Sequence, residues 1–488
     1  MSFATLTPMV RSKLAVLTLA FVALLLGPQS PVETASNTAL QIAVAAQVAQ
    51  ALRVTSALGV HIVDLDTGES VYGYNPDEPR VIASNTKLFT TAAILDAFGP
   101  GYAFETRFVM HGPVKDGVLD GPLGVVGSGD PQISGRDYAG DSFGPFRDWA
   151  RALRDRGVER IAGDVYLDHG LFDPPLVHPD WPRDQLTRWY EAPVEALSFS
   201  DNCVLVRVWP GRAGGPAQVE LVPDVPVLQL RNTARTIGKG GQNVVIHRNG
   251  EELFVKGNIR SNSGPVETWV TVPDPVRYFG QGLIAALAEE GIRVDGKLRP
   301  VEQLPSRVWE RVAVHRSDLL SAIRVTNKRS QNFYAESLAK HLGALRCGRG
   351  SWPDGVKAVG EFATSVGIPK GSFKLADGSG MSRENRAAPR HLTILLRHMF
   401  FHEAGTEFAQ SLPYSGEDLG SWKRRMAEAP YAGNVFAKTG TLEGVSALSG
   451  YAKAVSGKAY AFSILLNRVG GDARGAQDSI LRALIDNG

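Results

Sequence analysis

The sequence predicts an α+β protein in which a long β-rich stretch interrupts a domain of mixed helices and strands. Three observations carry that prediction. Apolar helix patterns gather towards both ends of the 488 residues, while residues 101–308 alternate short β-like runs with turn clusters. The composition, 43% apolar and 21% charged, is that of an ordinary globular chain. It excludes a disordered, collagen-like or multi-span membrane protein. At roughly 150 residues per domain, the length suits about three domains. Lys plus Arg number 52 against 50 Asp plus Glu, a net charge of +2, without the basic excess of a nucleic-acid binder.

In chain order, Arg11 and Lys13 precede an apolar run, Leu14 to Leu26, that Gly27-Pro28 closes. As a helix that run rises only about 20 Å, short of a roughly 30 Å bilayer core. A basic start, a short apolar centre and a breaking exit predict a secretory signal over residues 1–35. No stable membrane span is expected after its removal, and the chain is expected to be exported, periplasmic or extracellular. Thr38 to Leu52 reads as a helix. Leu58–Asp64 and Glu69–Tyr74 read as a hairpin around Asp66-Thr67-Gly68. The crowded apolar residues from Leu88 to Phe98 describe a buried helix with Ser84 near its first turn. In the middle stretch, Asn249-Gly250 between apolar runs is a hairpin signal. Beyond 310, helices are expected at Leu319–Val325, Phe333–Leu345, Gly355–Val366 and His391–Glu403. Strands are expected next at Asn434–Lys438, Ala447–Ala454 and Lys458–Leu466, then a closing helix at Ala476–Ile485.

Cys203 and Cys347 are too few for a disulfide framework and read as lone buried thiols. His398 and His402 share one helical face, but they lack the Glu of a zinc protease and a third ligand. No metal and no cofactor is expected.

Three short motifs carry chemistry: Ser84-Asn85-Thr86-Lys87, Ser330-Gln331-Asn332 and Lys438-Thr439-Gly440. They match the Ser-x-x-Lys, Ser-x-Asn and Lys-Thr-Gly set of serine acyl-transfer enzymes. Two decoys exist, Ser337-Leu338-Ala339-Lys340 and Ser200-Asp201-Asn202. Context separates them. Ser84 sits where a strand-like run enters a helix, and Ser330 falls in a polar break between two helices. Ser337 lies inside a helix, and Ser200 precedes a strand-like run.

The roles come from physics. A serine hydroxyl needs a base within hydrogen-bond reach, and Lys87 lies one helical turn on. Burial and the second cation, Lys438, favour its neutral amine. Ser84 would attack a carbonyl and form an ester. Ser330 would pass a proton to the leaving amine, and Asn332 would hydrogen-bond Lys87 or the substrate amide. A substrate carboxylate would meet Lys438 and the hydroxyls of Thr439 and Thr441. Gly440 would admit the close approach of that strand to Ser84. The backbone N–H groups of Ser84 and Thr441 would form the oxyanion hole.

With these residues laid out, the chain resembles the class C low-molecular-mass penicillin-binding proteins, the D-alanyl-D-alanine carboxypeptidase/endopeptidase family. The likeness extends to Val126-Gly127-Ser128-Gly129-Asp130-Pro131, to Ala192-Pro193-Val194 leading to Asp201-Asn202-Cys203, and to Asp377-Gly378-Ser379-Gly380-Met381-Ser382-Arg383. Gln331 departs from the Asp that many relatives carry. The resemblance implies a penicillin-binding/serine β-lactamase-like domain, an antiparallel sheet covered by helices. That domain would be built from residues 37–100 and 309–488 around an insert at 101–308. It also implies cleavage of D-Ala from peptidoglycan stem peptides or of their cross-links, acylation by β-lactams, no metal, and a substrate-holding role for Arg383. The alternatives are a serine β-lactamase on the same scaffold and a catalytically silent cell-wall-binding protein.

Overall fold

The structure, a computed structural model, describes residues 34–488; the predicted signal falls almost wholly outside them. The described chain forms two compact units. One holds the residues up to Pro100, Ile323–Gln331 and Val359–Gly488, and the other Gly101–Ala322 and Asn332–Ala358.

The first unit is built on a five-stranded sheet drawn from both ends of the chain. Its order is Ser70–Tyr74, Thr55–Asp64, Ala459–Val469, Val445–Lys453, Val435–Leu442, with every neighbour antiparallel. Period-two alternation divides the strand Thr55–Asp64 between two layers. Leu58, Val60 and Ile62 pack into a core with Leu40, Val44 and Val48 of the helix Thr34–Ala51. Ile480, Leu481 and Leu484 of the closing helix Ala473–Asn487 join the same core. Gly59 and His61 face the other way, towards the helix Pro389–Phe400. A side chain at Gly59 would lie 2.8 Å from the Pro389 ring, so the close packing there requires glycine. The helix Thr86–Phe98 is buried at every residue from Thr86 to Leu95, as its lack of a polar face requires.

His61 is buried between Thr393, 2.6 Å from Nδ1, and Ser70, 3.0 Å from Nε2. Burial first, and the Arg390 guanidinium second, hold its pKa down to about 4, against a weaker upward pull from Asp77. The unfolded chain therefore binds a proton that the fold refuses between pH 6.5 and 4. Stability is expected to fall by on the order of 3 kcal/mol as pH drops through that window. Urea midpoints measured across it, in the wild type and in His61→Gln, check this: the variant should show a shallower acid loss.

In the second unit a five-stranded sheet runs Leu298–Val301, Val165–Asp168, Leu123–Val126, Ala103–Met110, Glu310–Asp318. Phe108, Phe146, Trp149, Phe199 and Phe279 fill the core beneath it, with the helices Gly144–Arg154 and Pro275–Glu289. A satellite core unites Val206, Val208 and Val270 with Leu253, Val255 and Ile259. The predicted hairpin is present, Val245–Asn249 against Glu252–Lys256.

Two sequence-based boundaries shift. Glu310–Asp318 is paired along its length with Ala103–Met110, so its backbone hydrogen bonds tie it to the middle stretch rather than to the helices after it. The helix Asn332–Cys347 also belongs to this second unit. Cys203 is a buried free thiol as expected, whereas the free Cys347 is only half-buried.

Candidate active site

Ser84 stands in a short 3-10 turn, Ala83–Asn85, that runs directly into the helix Thr86–Phe98. Ala83 adopts φ +46, a left-handed conformation that costs a β-carbon residue about 1 kcal/mol or more. Three contacts hold the turn in place. Thr86 Oγ1 donates to the Ala83 carbonyl at 2.9 Å, and Asn85 Nδ2 to the Lys438 carbonyl at 2.9 Å. Thr90 Oγ1 donates to the Gly378 carbonyl at 2.7 Å. From the first turn of the helix, the fully buried Lys87 Nζ donates to Ser84 Oγ at 3.1 Å and to the Ser379 carbonyl at 2.7 Å. Ser84 itself remains half-exposed.

The second pair is Ser330 and Lys438. Ser330 lies just past the helix Leu319–Lys328, at φ +54. Lys438 Nζ, 1% exposed, donates to Ser330 Oγ at 2.9 Å and to the Thr439 carbonyl at 2.9 Å. Burial, and then the nearby Lys87, hold the Lys438 pKa well below the ordinary amine range. Two ammonium groups buried close together repel each other, and burial adds to the cost of keeping both charged.

Gly440 brings the strand Val435–Leu442 against the Ser84 turn. A β-carbon there would come within 2.8 Å of the Ile82 carbonyl and 3.0 Å of the Ser84 nitrogen. Across the turn, Gly380 sits at φ +88, and its β-carbon would lie 1.9 Å from the Ala83 carbonyl. Asp377 braces this loop, accepting from the backbone N–H groups of Gly380 and Ser382 and from Asn385 Nδ2. Gly380→Ala is therefore expected to cost about 2 kcal/mol or more of stability and to slow acylation. Denaturant midpoints and penicillin acylation rates check both.

Of the other expected site residues, Asn332 opens the helix Asn332–Cys347 of the second unit, and its Nδ2 donates to the Tyr190 carbonyl at 2.8 Å. Thr439 and Thr441 alternate with Lys438 and Gly440, so the pleat turns their side chains to the other face. There they line a cavity of about 290 Å³ with Arg425, Arg474 and Gln477. Arg383 is exposed, and its Nη2 donates to the Glu443 carbonyl at 3.0 Å. The decoys are committed elsewhere: Ser337 Oγ bonds the Phe333 carbonyl within its own helix, Lys340 Nζ bonds the Asp173 carbonyl, and Ser200 is buried. Sequence reasoning missed Asn85, the Ser379 carbonyl and Asn327, whose Nδ2 ties Thr91 to Ser411. Asn85 lies inside the Ser-x-x-Lys motif and Ser379 inside the glycine-rich stretch, but nothing in the sequence points to Asn327.

Comparison with known proteins adds to this geometry. The model of the D-Ala-D-Ala carboxypeptidase 3 (S13) family matches residues 40–485. A D-alanyl-D-alanine carboxypeptidase of Actinomadura sp. (strain R39) is 34% identical over 442 residues, covering 86% of this chain and 80% of that protein. The D-alanyl-D-alanine carboxypeptidase DacB of Haemophilus influenzae is 27% identical over 420 residues, 84% of this chain and 85% of the relative. The crystal structure of penicillin binding protein 4 (dacB) from Haemophilus influenzae superposes with a TM-score of 0.77 at 25% identity. That superposition covers 90% of this chain and 98% of the other.

Proposed function

This chain belongs to the D-Ala-D-Ala carboxypeptidase 3 (S13) family and is a serine-type D-Ala-D-Ala carboxypeptidase, and we propose that it works through an acyl-enzyme on Ser84. The observation that carries the assignment is the 3.1 Å contact between Lys87 Nζ and Ser84 Oγ. Ser84 Oγ attacks the carbonyl of the penultimate D-Ala as its proton passes to the neutral Lys87 amine. The negative oxygen of the tetrahedral intermediate is met by the backbone N–H groups of Ser84 and Thr441. Collapse breaks the C–N bond, and the proton that Lys87 took is relayed through the Ser330 hydroxyl to the departing D-Ala amine, which leaves Lys87 neutral again. Water then hydrolyses the ester and regenerates the serine.

Lys438 serves the substrate's terminal carboxylate. Arrival of that anion restores the Lys438 charge, and two adjacent cations are disfavoured, so Lys87 is left neutral as the base. Asn332 orients the substrate amide, its own amide held by Tyr190. Arg383 flanks the carboxylate subsite, while Thr439 and Thr441, turned to the opposite face of the strand, do not reach the carboxylate that Lys438 meets. The substrates are peptidoglycan stem peptides and their D-Ala cross-links, and β-lactams acylate the same hydroxyl.

Export is consistent with the substrate and with the predicted signal. Removal of residues 1–35 leaves the core residues Leu40, Val44 and Val48 in place. Among the described residues no helix is long and apolar enough to cross a membrane.

Incubation with a stem pentapeptide is expected to release D-Ala, and fluorescent penicillin is expected to give a stable label. Label without D-Ala release favours a silent binding protein. Rapid loss of the label favours a β-lactamase.

A further inference from the structure

The second unit carries a sheet face that the peptidase chemistry does not use. The strand Cys203–Trp209 lies between Gln218–Val222 and Val266–Thr271. Alternation sends Val206, Val208 and Val270 into the satellite core. Arg207, Trp209, Glu220, Glu267 and Trp269 lie on the outer face. Trp209 is 42% exposed and Trp269 43% exposed. In register, Trp269 opposes Leu205, and Glu267 and Glu220 oppose Arg207 from either side. The backbone positions of the two tryptophans therefore lie about 14 Å apart, four residues along and one strand across. Between them Arg207 pairs with Glu267 at 2.7 Å and Glu220 at 3.6 Å. Trp209 Nε1 is anchored on Glu220 at 3.2 Å.

The row continues towards Asn332. Arg188 bridges Val270 in antiparallel register, and the 3-10 turn that follows it, Trp189–Glu191, packs near the strand that carries Trp269. Trp189 is 40% exposed. Tyr190, the following residue, supplies the carbonyl that holds Asn332.

We propose that Trp189, Trp269 and Trp209 form a platform for the glycan strand of peptidoglycan, a β-linked aminosugar polymer whose stem peptides are the peptidase's substrates. The inference rests on the peptidase function proposed above. A pyranose ring offers an apolar C–H face and a rim of hydroxyls and amides. Half-exposed indoles suit the face, and the carboxylate and guanidinium groups between them suit the rim. The charges around the indoles are mixed, with Glu220 and Glu267 ion-paired to Arg207 and with Arg188 and Arg248 beside them, unlike the uniformly basic surface that binds a nucleic acid or an anionic membrane. Its indoles are separated by ion-paired side chains rather than fused into the apolar centre of a stable protein interface.

The test uses the whole protein in pelleting assays with three probes: intact peptidoglycan sacculi, sacculi stripped of stem peptides by an amidase, and chitin. The wild type should pellet with all three. Trp209→Ala combined with Trp269→Ala should weaken binding to each by about tenfold or more, while its D-Ala release from a soluble pentapeptide stays unchanged, which also shows that the variant folds. Unchanged pelleting of the double variant would overturn the platform, as would wild-type binding that vanishes once the peptides are stripped. Unchanged glycan affinity with loss of a protein partner would assign the face to protein contacts and likewise overturn it. Failure of the wild type to release D-Ala from the pentapeptide strikes the peptidase function instead and leaves the pelleting result to be read separately.

Discussion

Ser84→Ala is expected to abolish both penicillin labelling and D-Ala release, with turnover down by about 10⁴-fold or more. The change removes one half-exposed oxygen and leaves the rest of the turn bonded. Lys87 keeps its 2.7 Å contact with the Ser379 carbonyl, and Asn85 keeps the Lys438 carbonyl. Stability should therefore stay within about 1 kcal/mol of the wild type. Stopped-time D-Ala assays, fluorescent-penicillin gels and denaturant melts on one preparation check all three points. Residual label would show that another hydroxyl is the nucleophile. Ser337, the decoy, cannot serve without leaving its bond to the Phe333 carbonyl.

Lys438→Met is expected to separate activity from stability. Acylation by D-Ala peptides and penicillin should drop by about 10³-fold, because the cation proposed to meet the carboxylate is gone, and with it the contact to Ser330 Oγ. Stability should rise. Burial and Lys87 hold the Lys438 pKa well below 10.5 in the fold, so below that pH the unfolded chain binds the extra proton. The wild type must therefore gain stability as pH rises towards the ordinary amine range. The variant loses that part of the slope and gains an apolar side chain of similar length in a buried site. Urea midpoints at two pH values below the amine range, measured for both proteins, test this. An unchanged slope, or retained acylation, would contradict it.

The sequence was most legible where local chemistry and fold agree. The hairpin 55–74, the buried helix after Ser84 and the three closing strands all declared themselves through periodicity, and each lies within a few residues of its expected position. Ser84 could be told from its decoy because it sits where a strand-like run enters a helix, and Ser330 because it falls in a polar break between two helices; left-handed backbone, at Ala83 and at Ser330, marks both sites and the decoy Ser200 alike. What periodicity could not express was long-range pairing. Nothing local in Glu310–Asp318 says that it completes the sheet of Ala103–Met110. Nor does the Lys438-Thr439-Gly440 triplet say that its threonine faces a cavity beside Arg425, because the face of a residue depends on which side of the edge strand the Ser84 turn packs. The backbone acceptor of Lys87, the Ser379 carbonyl, was equally hidden, since a carbonyl leaves no residue signature.

The most direct measurement is the intact mass of the protein after reaction with penicillin, with digestion and mapping of the adduct. One penicilloyl group on the peptide containing Ser84 is the expected result. An adduct on Ser330 or Ser337, or no adduct on a folded protein, would contradict the account at its root.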